Sequence, residues 1–238
     1  MTVMLQFKRT VAVQAVTKFI FKESLMNRLE IKNNSRQQIQ GKIGTLFLIT
    51  LIIAVISCAA NAVPFVGFLA VLFVLTPAFG LSMARIYLGI CAGKKPEVKD
   101  TFCGFDDVWS AFKVVFLVEL FTTLWTLLFI IPGIVKSFSY SMSMYILAEN
   151  KGMSAREAIT RSKEMMNGHK LDLFVLYLSF FGWWLLCGIT FGIAYIWVGP
   201  YMNAAVANFY NSIKGEYNPS VEAVANELPE GNNDTPAE

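Results

Sequence analysis

From Leu173 to Ser212 the chain runs forty residues without an Asp, Glu, Lys, Arg or His. An α-helix rises about 1.5 Å per residue and a bilayer core is about 30 Å thick, so about 20 apolar residues make one crossing. A charge-free run of forty therefore reads as two crossings. A second run, forty-two residues from Ile43 to Ala84, makes another pair, with Asn61, Pro64 and Gly67 at its turn. A third pair spans Ala111 to Glu149, which carries only Lys113, Glu119 and Lys136 between its ends and breaks at Pro132-Gly133. The pattern predicts an all-α fold: a polytopic membrane helical bundle of six transmembrane helices arranged as three hairpins.

A chain that is 55% hydrophobic and 16% charged cannot cover itself with a surface of ordinary polarity. In hydrocarbon each backbone N–H and C=O must be paired within its own segment or in a closed barrel, and long unbroken apolar runs select helices. Cys58, Cys91, Cys103 and Cys187 show no CxxC spacing and are expected to be free thiols. A single histidine, His169, makes a metal cluster improbable.

The charges set an orientation. Apart from Arg85 and Lys136 inside apolar segments, the other 18 of the 20 cations fall on one side if there are six crossings. By the positive-inside rule that side is the cytoplasm, so both termini are expected there. The same clusters do not call for nucleic acid, since each lies within a few residues of a membrane exit. Residues 1–25 read as a basic extension, with Met26 a plausible internal start; 26–213 form the membrane domain. Residues 214–238, with a net charge of −5, form an acidic tail with too little apolar surface to fold alone.

A shift of 123 residues aligns Leu75–Pro96 with Val198–Pro219 and pairs Pro77/Pro200, Ala84/Ala207, Tyr87/Tyr210, Ile90/Ile213 and Pro96/Pro219. The register suggests a parallel internal repeat. Gly89xxxGly93 and Gly188xxxGly192 offer close helix approach.

Ionisable groups in hydrocarbon cost about 2.5–3.5 kcal/mol on insertion scales, so each needs a partner or a path to water. Arg85 and Glu119 sit at similar expected depth, about 9–14 Å from the cytoplasmic face at 1.5 Å per residue, and could pair. Lys136 follows the Pro132-Gly133 break, where an ammonium can satisfy a freed carbonyl or reach headgroups. Beyond it Ser137, Ser139, Ser141 and Ser143 alternate with bulky residues; they serve packing, or Ser137, Tyr140, Ser141 and Tyr145 line a polar cavity. Together Arg85, Glu119, Lys136, Ser137, Tyr140, Ser141 and Tyr145 make the candidate intramembrane polar site.

Ser154-Ala-Arg-Glu157 is a capping-box pattern that starts a cytoplasmic helix. Ala155, Ala158, Ile159, Ser162 and Met166 would face the membrane or bundle, Arg156, Lys163 and Glu164 would face water, and Gly168 would end it. Such a helix can lie at the interface or meet a protein partner. In the loop from Gly93 to Ser110, Phe102, Phe105 and Trp109 read as aromatics at headgroup depth. HExxH, GxSxG, intramembrane aspartate pairs and glycine-rich phosphate loops are all missing, so no catalytic residue, cofactor or metal is predicted.

Several strings in order carry a resemblance. They are Leu124-Trp-Thr-Leu-Leu-Phe-Ile-Ile-Pro-Gly-Ile-Val-Lys136, Tyr145-Ile-Leu-Ala-Glu-Asn150 and Ser162-Lys-Glu-Met-Met-Asn-Gly-His-Lys170, then Leu178-Ser-Phe-Phe-Gly-Trp183, Pro200-Tyr201 and Phe209-Tyr210. From about Asn27 to Ser212 the chain resembles the bacterial integral membrane family called domain of unknown function 975. The resemblance implies a multi-pass cytoplasmic-membrane protein and brings no activity or catalytic residues with it. The expected function is that of a non-enzymatic component binding membrane lipids or a protein partner, the alternative a transporter or permease subunit for a small solute.

Overall fold

The computed structural model describes residues 29–62, 66–190, 192 and 194–216, and these form helices joined by turns and short connections. The basic extension 1–25 lies outside the described residues, as does the acidic tail beyond Glu216. A helix over 29–39 (α1) leads into α2, Ile43–Asn61, and α3, Val66–Cys91. After two 3-10 turns, Val98–Phe102 and Phe105–Asp107, come α4, Val108–Leu128, α5, Ile130–Tyr140, and α6, Ser143–Glu149. The chain continues through α7, Ala155–Met165, α8, Lys170–Leu178, α9, Phe181–Ile189, and α10, Tyr195–Glu216.

Among the described residues four stretches are long and apolar enough to cross a membrane: Ile43–Asn61, Val66–Cys91, Val98–Leu128 and Lys170–Ile189. The two other expected crossings differ in ways the backbone explains. The segment 130–149 is not one rod, because its helix stops at Tyr140 and restarts at Ser143. The Ser141 hydroxyl donates to the Phe138 carbonyl at 2.8 Å and that of Ser143 to Tyr140 at 2.8 Å, supplying local partners where the ladder lapses. The last helix is continuous over 22 residues, but Asn203, Asn208 and Asn211 dilute its apolar content.

Two prolines act at helix starts. The break expected at Pro132-Gly133 falls instead at Phe129, whose φ of −154° and ψ of 127° are extended. Pro132 then occupies the first turn of α5, where a missing N–H costs nothing. Gly133 passes so close to Thr126 that an added Cβ would collide with its backbone and side chain, which closes the α4/α5 hairpin. In α3, Pro77 follows a wide π-helical turn, Val71–Leu75. There both the N–H and, at 2.9 Å, the hydroxyl of Thr76 donate to the Val71 carbonyl, so the widened turn makes room for the proline ring.

The second half of α3 is the centre of the bundle, packing against α4, α6 and α10, while α2 packs against the first half. Two clusters of buried apolar side chains flank it: one includes Leu81, Ala84, Met142, Ile146, Leu173 and Phe180, the other Leu46, Ile49, Tyr87 and Ile90. The opposite ends of the hairpins are bare. Leu127, Leu128, Phe129, Ile130 and Ile131 all lie exposed at the α4/α5 tip, an apolar surface suited to lipid rather than water.

Candidate functional site

A polar concavity lies where α3 ends. A cavity of about 690 Å³ is bounded by Arg85, Gly89 and Ile90 of α3, the loop from Lys94 to Glu97, Asp100, Cys103, and Ala148 and Glu149 closing α6. Gly93, at φ +81°, lets the chain reverse after Cys91 and carry Lys94 and Lys95 across the mouth.

Arg85 is the expected intramembrane cation nearest this cavity, and its partner corrects the expectation. Its guanidinium pairs with Asp107 and also donates to the Cys103 carbonyl, whereas Glu119 lies on the exposed face of α4. The loop folds back far enough to bring Asp107 to α3 because Gly104 packs flush against it. Its N–H donates to the Ser82 hydroxyl at 2.8 Å, and a Cβ there would strike the Ala78 carbonyl. Phe105, against Phe79 at 5.4 Å, packs the same joint, so this loop aromatic belongs to the bundle as well as to any interface.

Across the cavity Glu149 is held twice. The Tyr210 hydroxyl donates to Glu149 Oε2 at 2.9 Å and Lys214 Nζ reaches it at 2.6 Å. Tyr145 stacks on the Tyr210 ring at 5.6 Å, tying α6 to α10. The remaining candidates stand apart. Lys136 lies 5.0 Å over the Trp125 ring, Tyr140 is buried beside Phe121 at 6.3 Å, Ser137 is exposed, and Ser141 is occupied by its own chain. The seven are therefore spread over three places: the cavity beside Arg85, the α6–α10 contact at Tyr145, and the α4/α5 hairpin.

The helix beginning at Ser154 forms as its capping pattern predicts, with the Ser154 hydroxyl accepting from the Glu157 N–H at 3.2 Å. Its apolar face is covered by the chain itself. Ala155, Ala158, Ile159 and Met165 are buried, and fully buried Ser162 donates to the Ser139 carbonyl at 2.8 Å and accepts from the Met142 N–H at 3.2 Å. Arg156, Glu157 and Lys163 face outward. Ser162 joins α7 to the gap between α5 and α6. The sequence marks it only as a small polar residue on an apolar face, a signal that fits any buried serine.

Chemically the cavity carries Arg85, Lys94 and Lys95 against Glu97, Asp100 and Glu149. Arg85 and Glu149 are committed to ion pairs, and Glu97 pairs with Lys99 at 2.8 Å. Among the described residues no group of three His, Cys, Asp or Glu side chains is placed to hold a metal ion. The arrangement locks loops and helix ends together at one end of the bundle. No curated protein and no solved structure matches the chain. The family described as "Protein of unknown function (DUF975)" matches residues 26–139 and 127–217, and the chain belongs to that family.

Proposed function

We propose that this protein is a non-enzymatic, multi-pass component of the bacterial plasma membrane that binds lipid or a protein partner. It crosses the bilayer six times as the hairpins α2/α3, α4/α5–α6 and α8–α9/α10, with both termini in the cytoplasm. The observation that carries the reading is the separation of surfaces. Large apolar side chains such as Phe68, Leu124, Leu127, Ile131 and Ile189 cover the outside, while the charged contacts gather at one end. Arg85, Lys94 and Glu149 share a cavity there, Glu149 holds Lys214, and Gln38 meets Asn208 two turns before it. That end also carries the cations that the positive-inside rule assigns to the cytoplasm.

A carrier needs a polar route through the apolar layer, joining Glu119, Arg85, Ser141 and Lys136. These side chains instead face the outside, Asp107, their own backbone and Trp125. A protein partner would meet the charged outer face of α7, since its apolar face is already covered. The test is reconstitution in liposomes with a panel of solutes and a proton gradient, alongside native mass spectrometry of the purified protein. Retained lipid or protein without flux is the expected result. Flux that disappears in Glu119→Gln would overturn the reading in favour of a transporter.

A further inference from the structure

A second cavity, of about 540 Å³, opens between α1 and the α9/α10 segment. Its polar wall is one face of α1, where Lys32, Arg36 and Gln40 recur every four residues and so stand one above the other. The facing wall is aromatic, built by Trp183 of α9 and by Trp197 and Tyr201 of α10. Both tryptophans are open to the surroundings, at 45% and 58% exposure. Among the described residues no carboxylate lines this cavity, unlike the first one, where every cation has acidic company.

Ser35 and Gln38 dock α1 on α10 by accepting from the Asn208 carboxamide at 2.9 Å and 2.7 Å. Lys32 is held in place by the Ser179 hydroxyl at 3.1 Å and lies 4.6 Å over the Phe180 ring, at the joint between α8 and α9. Burial pushes its ammonium below the usual lysine range, a cost that a nearby anion would relieve. Arg36 and Gln40 are exposed beside it. Two cations with no carboxylate among the described residues lining their cavity, walled by tryptophans and bordered by an apolar span, match the chemistry of a phosphate attached to a greasy body. Basic recesses between membrane helices recognise anionic lipid headgroups in this way. The volume lies within the range of about 300–1,000 Å³ that suits small-molecule sites.

We infer that this cavity binds the phosphate of an anionic membrane lipid, with Lys32 and Arg36 on the phosphate and Trp183 and Trp197 flanking the glycerol and first acyl carbons. The inference rests on the lipid-binding reading above and names its ligand class and residues.

The full-length protein in detergent is incubated with phosphatidylglycerol, with phosphatidylcholine, or with phosphatidylglycerol in competition with soluble glycerol phosphate, and bound lipid is counted by native mass spectrometry. Phosphatidylglycerol is retained over phosphatidylcholine, and Arg36→Gln lowers that retention about fivefold, the effect of one cation beside an anionic headgroup. Gln40→Glu, which adds a carboxylate at an exposed position, lowers it as well, and Arg36→Lys keeps most of it. Lys163→Gln, on the outer face of α7, leaves it unchanged. Equal retention of the two lipids, or retention indifferent to both Arg36→Gln and Gln40→Glu, overturns the proposal. Displacement of the lipid by millimolar glycerol phosphate would overturn the lipid source and leave a soluble phosphate ester as the ligand. Solute flux in liposomes would defeat the functional reading while leaving this lipid selectivity measurable, so the two failures are distinguishable.

Discussion

Replacing Ser162 with alanine tests the joint between α7 and the rest of the bundle. The Ser162 hydroxyl is fully buried and serves two backbone groups, the Ser139 carbonyl at 2.8 Å and the Met142 N–H at 3.2 Å. Because α5 stops at Tyr140 and α6 starts at Ser143, neither group has a second backbone partner among the described residues. Met142, Met165 and Met166 are buried around them, which leaves water no easy entry. A buried polar group left without a partner costs about 1–3 kcal/mol, and the longer Met142 bond belongs at the lower end of that range. Ser162→Ala is therefore expected to cost about 2–4 kcal/mol, a fall in Tm of about 5–15 °C for a chain of this size. Ser162→Val should be at least as damaging, since it restores volume without a hydroxyl, while Ser162→Thr keeps the hydroxyl and recovers part of the loss. The assay is thermal unfolding in detergent, followed by far-ultraviolet circular dichroism. An alanine variant within about 0.5 kcal/mol of the parent, or alanine and threonine variants of equal stability, would refute the argument that the hydroxyl closes the gap.

The remaining predictions follow from the same contacts. A membrane-impermeant maleimide should reach Lys94→Cys and Arg161→Cys in inverted vesicles and neither in intact cells; labelling on opposite faces would sink the even count of crossings between them. Arg85→Gln and Asp107→Asn should couple by about 1–3 kcal/mol in a double-mutant cycle, because removing either leaves a largely buried charge short of its partner. Glu119→Gln should couple to Arg85→Gln by less than about 0.5 kcal/mol. Gly133→Ala should cost about 1–3 kcal/mol by driving a methyl into Thr126, whereas Gly182→Ala, where nothing lies within 4 Å, should fold normally. Equal effects of the two alanines would deny the close α4/α5 approach.

The parts of this fold that sequence conveys are those written in local chemistry. Ser154 starts its helix, Gly168 at φ +88° follows its end, and the apolar runs at Ile43–Asn61 and Lys170–Ile189 are helices of spanning length. Each depends on neighbours within about two turns. The Arg85 partner was not readable in that way. Asp107 and Glu119 are both downstream carboxylates, and the choice between them is made by Gly104 and Phe105 packing onto α3. The interruption after Tyr140 escaped hydropathy because Ser141 and Ser143 are small and satisfy their own backbone, so an apolar average runs smoothly across a broken helix. The cavity beside α1 escaped too, since Lys32 and Arg36 read as topogenic cations until Trp183 and Trp197, far away in sequence, are placed opposite them.

The shift of 123 residues has a geometric counterpart that the identities alone could not supply. All four pairs that fall within the described residues, Pro77/Pro200, Ala84/Ala207, Tyr87/Tyr210 and Ile90/Ile213, are buried, and the helices bearing them, α3 and α10, pack against each other. Their side chains divide between the two apolar clusters in a crossed manner. Ala84 enters the cluster that holds Tyr210 and Ile213, while Ala207 enters the one that holds Tyr87 and Ile90. Equivalent residues of the two helices therefore reach opposite cores. The α3/α10 pair is then a wall with a core on each face: α2 and Ile39 of α1 complete one core, and α4 to α8 with Ile31 of α1 complete the other.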